Sequence, residues 1–195
     1  GFQILETMLN NLKKDNPNFI YLDAGDQFQG TPENEFSEGS IVYEGFHELG
    51  LSATTIGNHE WDWKKERLNK ILASAKYKYI CANLNPLSDE NYKKKIVEYQ
   101  RDGRNLDKIN KIREEKFDHE KLSKSEIFNV GPIKLGVIGL TTKETWTSTT
   151  YPPYGYEITD YVDAIRKQVA VLNEKNADSI VVISHVGIKC SQDND

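Results

Sequence analysis

Segments with helical periodicity alternate along this chain with short apolar runs, and no other feature limits the fold as strongly. Apolar residues recur at helical spacing in four predicted helices, at residues 2–14, 40–49, 64–75 and 159–175. Apolar runs of strand length lie at residues 19–22, 53–56, 77–82, 134–140 and 180–183. This order predicts a layered α/β fold with a buried, mostly parallel sheet.

Residues 88–125 interrupt the alternation. The segment is densely charged, both signs are mixed along it, and its few apolar residues have loose helical spacing. Such a composition is typical of a solvated face that buries little apolar surface. We therefore predict one domain over residues 1–195 with a partly helical insertion at 88–125, exposed and peripheral to any functional site.

The composition excludes some classes of function. There are 25 Lys and Arg against 30 Asp and Glu, so the sequence predicts no basic face for nucleic acid. No apolar run is long enough to span a bilayer, so we predict no transmembrane segment in this chain. The two cysteines, Cys81 and Cys190, are too few for a disulfide scaffold, and the sequence leaves open whether they pair or stay free.

Polar side chains that can bind metal ions follow three of the predicted strands. Asp26 follows the first, in DAGDQFQG; Asn58, His59 and Asp62 follow the second, in GNHEWD; His185 follows another, in SHVG. Functional groups in open α/β sheets gather beyond the carboxyl ends of the strands, so these loops are expected to meet at one edge. Carboxylate, amide oxygen and imidazole together suit Mn²⁺, Fe, Zn²⁺ or Mg²⁺.

Each of these loops taken singly also has an ordinary structural explanation. Gly-Asp pairs are common in turns, and Asp26 in that position is also compatible with a helix cap. An Asn-His pair after a strand is often only a turn, and His185 at a strand end is compatible with a histidine bonded to backbone. The three loops together, in this order and at these strand ends, favour a metal site.

The order GD…GNHE…SHxG resembles the motif series of the calcineurin-like metallophosphoesterases. The longer strings DAGDQFQGTP and IGNHEWD are similar to the 5′-nucleotidase branch of that superfamily. The resemblance covers most of the chain, except residues 88–125 and 145–156. It implies the family's layered β-sandwich flanked by helices, here as a partial catalytic domain.

The resemblance also implies a role for each candidate residue. Asp26 matches the carboxylate that bridges two divalent metal ions, which are Zn, Mn, Fe or Mg in this family. Asn58 and His185 match ligands of the second ion. His59 matches the histidine that faces the phosphoryl group beside Asn58, both contacting substrate, and Asp62 matches the acid that orients His59.

The activity implied by the resemblance is metal-dependent hydrolysis of phosphate esters, with nucleoside 5′-monophosphates as substrates. Three alternatives stay open: a 2′,3′-cyclic nucleotide phosphodiesterase, a nucleotide-sugar hydrolase, and a non-catalytic homologue that serves as an interaction module. The family's Asp-x-His and Gly-His-x-His motifs do not occur in the 195 residues, and neither does its C-terminal substrate-binding domain. We therefore expect a fragment that is inactive alone. The resemblance suggests an exported, cell-surface or periplasmic protein, while the sequence itself leaves the compartment open.

Overall fold

The computed structural model describes residues 1–28 and 30–187, which form helices and strands in alternation. The helices are α1 (Phe2–Asp15), α2 (Pro32–Phe36), α3 (Ser40–Glu48), α4 (Lys64–Ser74), α5 (Asp89–Arg101), α6 (Leu106–Glu114), α7 (Thr145–Ser148) and α8 (Tyr161–Glu174). The strands are β1 (Ala53–Thr54), β2 (Lys78–Tyr79), β3 (Leu84–Pro86), β4 (Ser125–Val130), β5 (Ile133–Thr141), β6 (Tyr156–Ile158) and β7 (Ser179–His185). Single 3₁₀ turns lie at His59–Trp61 and His119–Lys121. The predicted α/β class is confirmed.

The sheets are mixed in direction: the predicted strands pair with one another in parallel, and the antiparallel pairs involve β3, β4 and β6, which the sequence argument did not predict. The largest sheet of the described residues has the order β4-β5-β7, with β4 antiparallel and β7 parallel to β5. β1 pairs in parallel with β2, and β3 pairs antiparallel with β6. The antiparallel pair β4-β5 arises because Gly131, at φ 60°, turns the chain back within two residues. The sequence argument assigned residue 125 to the insertion and so missed β4.

Three of the predicted strands are shorter than expected. Residues 19–22 contribute one bridge, from Leu22 to Ala53, instead of a regular strand. Hydrogen bonds still tie this segment to its neighbour, because the N–H of Ser52 donates to Tyr21 at 2.9 Å and that of Asp23 donates to Ala53 at 3.0 Å. β1 ends at Thr54 instead of residue 56, and β2 covers only Lys78–Tyr79 of the predicted strand at 77–82.

The core lies between these sheets and the helices. Its main cluster includes Phe28, Ile56, Trp61, Leu68, Ile71 and Leu84, all nearly inaccessible to solvent. Burying each such side chain stabilises the fold by about 1.5–3 kcal/mol. β5 passes so close to the segment after β2 that a Cβ on Gly139 would lie 1.9 Å from the carbonyl oxygen of Ile80. This contact joins the β4-β5-β7 sheet to the β1-β2 pair and so brings His185 toward the loops after residues 22 and 54.

The insertion is helical in part, as predicted, but it is better packed than its charge suggested. Helices α5 and α6 enclose a cluster of buried side chains that also includes Tyr154: Tyr92, Tyr99, Ile109 and Ile112. Ser88 and Asn105 cap the two helices through their side-chain oxygens. The expectation that this segment buries little apolar surface was wrong, because Tyr92, Tyr99, Ile109 and Ile112 pack on one another and on Tyr154.

Two further expectations concern the membrane and the cysteines. Among the helices of residues 1–28 and 30–187, none combines the length and apolar character required to cross a bilayer. Cys81 is buried, and burial raises the pKa of its thiol to about 11. Cys190 lies outside the described residues.

Candidate metal centre

The fold delivers the three predicted ligands to one place. His185 is the last residue of β7, whose register with β5 places it opposite Thr141. Asp26 lies in the loop after the bridge at Leu22, and Asn58 lies at the start of the 3₁₀ turn that follows β1. The expected convergence of these three loops is therefore present in the structure.

The donor atoms of the three side chains are close together. Nε2 of His185 lies 3.0 Å from Oδ2 of Asp26 and 3.2 Å from Oδ1 of Asn58. Two ligands at right angles around one ion are about 3.0 Å apart when each lies about 2.1 Å from it. Both spacings therefore suit ligands of a single divalent cation. No cluster of three or more His, Cys, Asp or Glu side chains is placed to hold a metal ion within residues 1–28 and 30–187, so this arrangement depends on the amide of Asn58.

The second ring nitrogen of His185 supports the same interpretation. Nδ1 lies 3.2 Å from the carbonyl oxygen of Ala24, which accepts its proton when Nδ1 is the protonated nitrogen. Metal-binding histidines commonly donate their other N–H to a carbonyl in this way, which fixes the tautomer. In that tautomer the lone pair of Nε2, on the side of Asp26 and Asn58, would be available to a cation, whereas a doubly protonated ring donates from Nε2 to Asp26.

Asp26 is held in an unusual backbone conformation. Its φ of 58° lies in the left-handed region, and Oδ1 accepts a hydrogen bond of 2.9 Å from the N–H of His59. Burial alone would raise the pKa of Asp26, but the hydrogen bonds from His185 and His59 outweigh burial and hold it below its usual value. The hydrogen bond between His185 and Asp26 also raises the pKa of His185. Asp26 is therefore an ionised carboxylate aimed at the histidine, as a cation ligand requires.

His59 and Asp62 form a hydrogen-bonded pair beside this cluster. Nδ1 of His59 lies 2.6 Å from Oδ2 of Asp62, three residues further along the 3₁₀ turn. Burial lowers the pKa of His59, yet the bond to Asp62 and the nearby charge of Asp26 raise it above its ordinary value overall. Asp62 is 8% exposed whereas the His59 side chain is about a third exposed. The acid thus orients an imidazole that solvent or a ligand can reach.

The profile of the calcineurin-like phosphoesterase family matches residues 1–194. The chain belongs to the calcineurin-like phosphoesterase family. Members of this family use divalent metal ions. The family assignment agrees with the donor set at Asp26, Asn58 and His185.

Several 5′-nucleotidases are similar to this calcineurin-like phosphoesterase chain. A snake venom 5′-nucleotidase of Gloydius brevicauda is 29% identical over 184 residues, which are 93% of this chain and 27% of that protein. A 5′-nucleotidase of Mus musculus is 27% identical over 97% of this chain and 29% of its own length. The crystal structure of a 5′-nucleotidase precursor from Thermus thermophilus superposes with a TM-score of 0.75 at 26% identity, covering 94% of this chain and 31% of that one. The chain thus spans less than a third of the length of these relatives.

The sequence argument missed one side chain that organises the family's motif loops. Glu60, 2% exposed, accepts hydrogen bonds from the N–H groups of Asp26 at 3.1 Å, Gln27 at 2.7 Å and Gly57 at 2.6 Å. Burial, followed by the charge of Asp26, raises the pKa of Glu60 to about 7, while the three N–H groups lower it. Its position inside GNHE was visible, but nothing in the sequence shows that it points away from the metal ligands and into the loop backbone.

The remaining described histidines lie elsewhere. His47 is near Glu48, at 3.8 Å, on α3. His119 lies 3.2 Å from the hydroxyl of Tyr156 beside the insertion. None of these contacts involves Asp26, Asn58 or His185, so the candidate site is the cluster of those three residues at the sheet edge.

Proposed function

We propose that this chain supplies part of the active site of a metal-dependent phosphate ester hydrolase that acts on nucleoside 5′-monophosphates. The observation that carries the proposal is the convergence of Nε2 of His185 with Oδ2 of Asp26 and Oδ1 of Asn58. A histidine with a bound carboxylate, His59, lies directly beside these atoms. A binding module without catalysis has no need of that combination.

The proposed ligands are Asp26, Asn58 and His185, with Asp26 as the carboxylate shared by two ions. Divalent ions bound there would polarise a phosphoryl group and activate a water for in-line attack. This donor set does not discriminate among Zn, Mn, Fe and Mg. The ligands that this chain lacks would come from the rest of the full-length protein.

His59 is proposed to act on the substrate rather than on the metal. Its pKa is raised above the ordinary value, mainly by the bond to Asp62, which favours the protonated ring in which both ring nitrogens donate. One of them is bonded to Asp62, so the other is able to stabilise negative charge on the phosphoryl group or the leaving oxygen. Asp62 fixes the orientation of the ring and stabilises its charge.

The substrate class is inferred from the relatives. Relatives with similar sequences are named 5′-nucleotidases, and another, 28% identical, is an apyrase of Aedes aegypti. The name 5′-nucleotidase indicates a nucleotide with a 5′-phosphate as substrate. We infer a nucleoside 5′-monophosphate as substrate, with the base recognised by residues outside this chain.

Two neighbouring substitutions in the full-length protein test the assignment. Asn58→Ala should lower metal content, and excess Mn²⁺ should partly restore hydrolysis of AMP. His59→Ala should leave metal content near normal and lower kcat by about 10²–10⁴-fold, without rescue by metal. Asp62→Asn should resemble a milder His59→Ala, because the ring remains. Loss of metal in His59→Ala, or unchanged turnover, would show that these roles are assigned wrongly.

A further inference from the structure

Residues 145–154, which we call the strap, connect the end of β5 to β6 and run past the candidate site. The carbonyl oxygen of Ser148 accepts a hydrogen bond from Nδ2 of Asn58 at 3.3 Å. Oγ1 of Thr149 and the N–H of Thr150 each donate to Oδ1 of Asp62 at 2.9 Å. The strap therefore contacts both a proposed ligand and the acid that orients His59.

The two donors hold the Asp62 carboxylate in one orientation. Burial would raise the pKa of Asp62, but the bonds from Thr150, His59 and Thr149 lower it overall. With Oδ1 bonded to the strap, Oδ2 points to Nδ1 of His59 at 2.6 Å. Rotation of the carboxylate away from His59 would break both strap bonds.

The other side of the strap packs on the insertion. The ring of Tyr99 on the insertion meets that of Tyr154 on the strap edge to face, with centroids 5.5 Å apart. Within the strap, the ring centroids of Trp146 and Tyr154 are 5.7 Å apart. The ammonium groups of Lys64 and Lys108 lie 5.5 Å and 5.9 Å from the ring centre of Tyr151. Aromatic contacts of this kind stabilise a loop beyond the burial of their area.

A buried lysine joins the strap, the insertion and α4. Lys65 on α4 is 2% exposed, and Nζ donates to the carbonyl oxygens of Ile112 at 2.6 Å, Glu115 at 3.3 Å and Tyr154 at 3.1 Å. Two of these oxygens belong to the insertion and one to the strap. Because α4 follows the loop with His59 and Asp62 directly, this contact anchors the strap to the element that starts at the site.

We propose that the strap and the insertion form a positioning unit for the His59–Asp62 pair, with Thr149 as its positioning residue. This proposal rests on the function proposed above and assigns a role to the two segments that the family pattern leaves unexplained. It also reverses the expectation that residues 88–125 are peripheral to turnover. If the strap only filled space, loss of one hydroxyl from Thr149 would change stability slightly and leave kcat alone.

Substitutions at Thr149 in the full-length protein separate the two cases. Thr149→Val removes the donor to Asp62 and keeps the shape, so kcat for AMP should fall about 3- to 10-fold while KM and metal content stay the same. Thr149→Ser keeps the hydroxyl and should stay within about twofold of wild type. The matched control is Thr147→Val, since Thr147 on the same strap is exposed and its hydroxyl donates to the carbonyl oxygen of Glu144, just before the strap.

Lys65→Met tests whether the insertion contributes to the same unit. We expect kcat to fall with metal content unchanged, and the combined Thr149→Val and Lys65→Met protein to lose less than the product of the two single effects. Independent effects would multiply. Multiplicative losses, or a normal kcat in Lys65→Met, would remove the insertion from the proposed unit.

A spectroscopic measurement on the full-length protein needs no turnover. The imidazole ¹⁵N signals of His59 report its bond to Asp62, so they should shift in Thr149→Val and stay unchanged in Thr147→Val and Thr149→Ser. If the wild-type protein is inactive but these signal shifts are observed, the proposed function is contradicted and the positioning of His59 by the strap is not. Unchanged His59 signals in Thr149→Val, or an equal loss of kcat in Thr147→Val, would overturn the positioning role.

Discussion

Gly57→Ala tests the close packing of the two loops that carry Asp26 and Asn58. A Cβ on Gly57 would lie 2.2 Å from Oδ1 and 2.7 Å from the backbone N of Asp26. Since nonbonded heavy atoms normally stay above about 3 Å, the Asp26 carboxylate would have to move by roughly 1 Å. Oδ1 also accepts the N–H of His59 at 2.9 Å, so the movement strains that bond too.

The magnitude follows from the size of this clash. Overpacking of a buried contact costs about 1–3 kcal/mol of folding free energy. For a chain of this size, each kcal/mol lowers Tm by about 2–4 °C, so Tm should fall by about 2–12 °C. A proposed ligand displaced in this way should also weaken Mn²⁺ binding by about 10–100-fold, as loss of a supporting contact typically does.

Gly187→Ala is the matched control, because it lies two residues after His185 and an added Cβ would meet no atom within 4 Å. Thermal unfolding with and without Mn²⁺, together with calorimetric titration of Mn²⁺, measures both quantities in each variant. The control should match wild type in both. Normal Tm and Mn²⁺ affinity in Gly57→Ala, or an equal loss in Gly187→Ala, would refute the packing argument.

Two further predictions concern buried charges. Burial lowers the pKa of Lys65 from 10.5 to about 8. Between these two pH values the unfolded chain therefore binds more protons than the folded chain. The free energy of unfolding should rise by up to about 3 kcal/mol as the pH is raised from about 8 to 10.5. Urea melts at pH 7.5 and 10.5 should show this rise in wild type but not in Lys65→Met. The same change of unfolding free energy with pH in both proteins would contradict the prediction. Glu60→Gln at pH 8 should cost about 3 kcal/mol, because an amide N–H₂ would face backbone N–H groups that now donate to a carboxylate. Exposed Glu66 provides the control, because Glu66→Gln should change the urea midpoint little. Equal urea midpoints for Glu60→Gln and Glu66→Gln would contradict the role of Glu60.

Much of the fold was predictable because helices and strands depend on local patterns. The predicted helix at 64–75 is α4, the one at 159–175 is α8, and the strand at 134–140 lies within β5. Such periodicity reflects which face of a segment is buried, and that information lies within a few adjacent residues. The positions of Asp26 and His185 at strand ends could be read in the same way.

Other features depended on contacts between distant parts of the chain. The direction of β4, the burial of Tyr99 and the orientation of Glu60 follow from packing that no local pattern records.

The strap shows the limit most clearly. The resemblance of GNHEWD to the family motif implied that Asp62 orients His59, three residues away on the same turn. Only the tertiary structure decided that Thr149, 87 residues further on, would hold the carboxylate of Asp62. A hydrogen bond between such distant residues forms because packing of the insertion against the strap brings them together. Neither residue carries a local signal of the other.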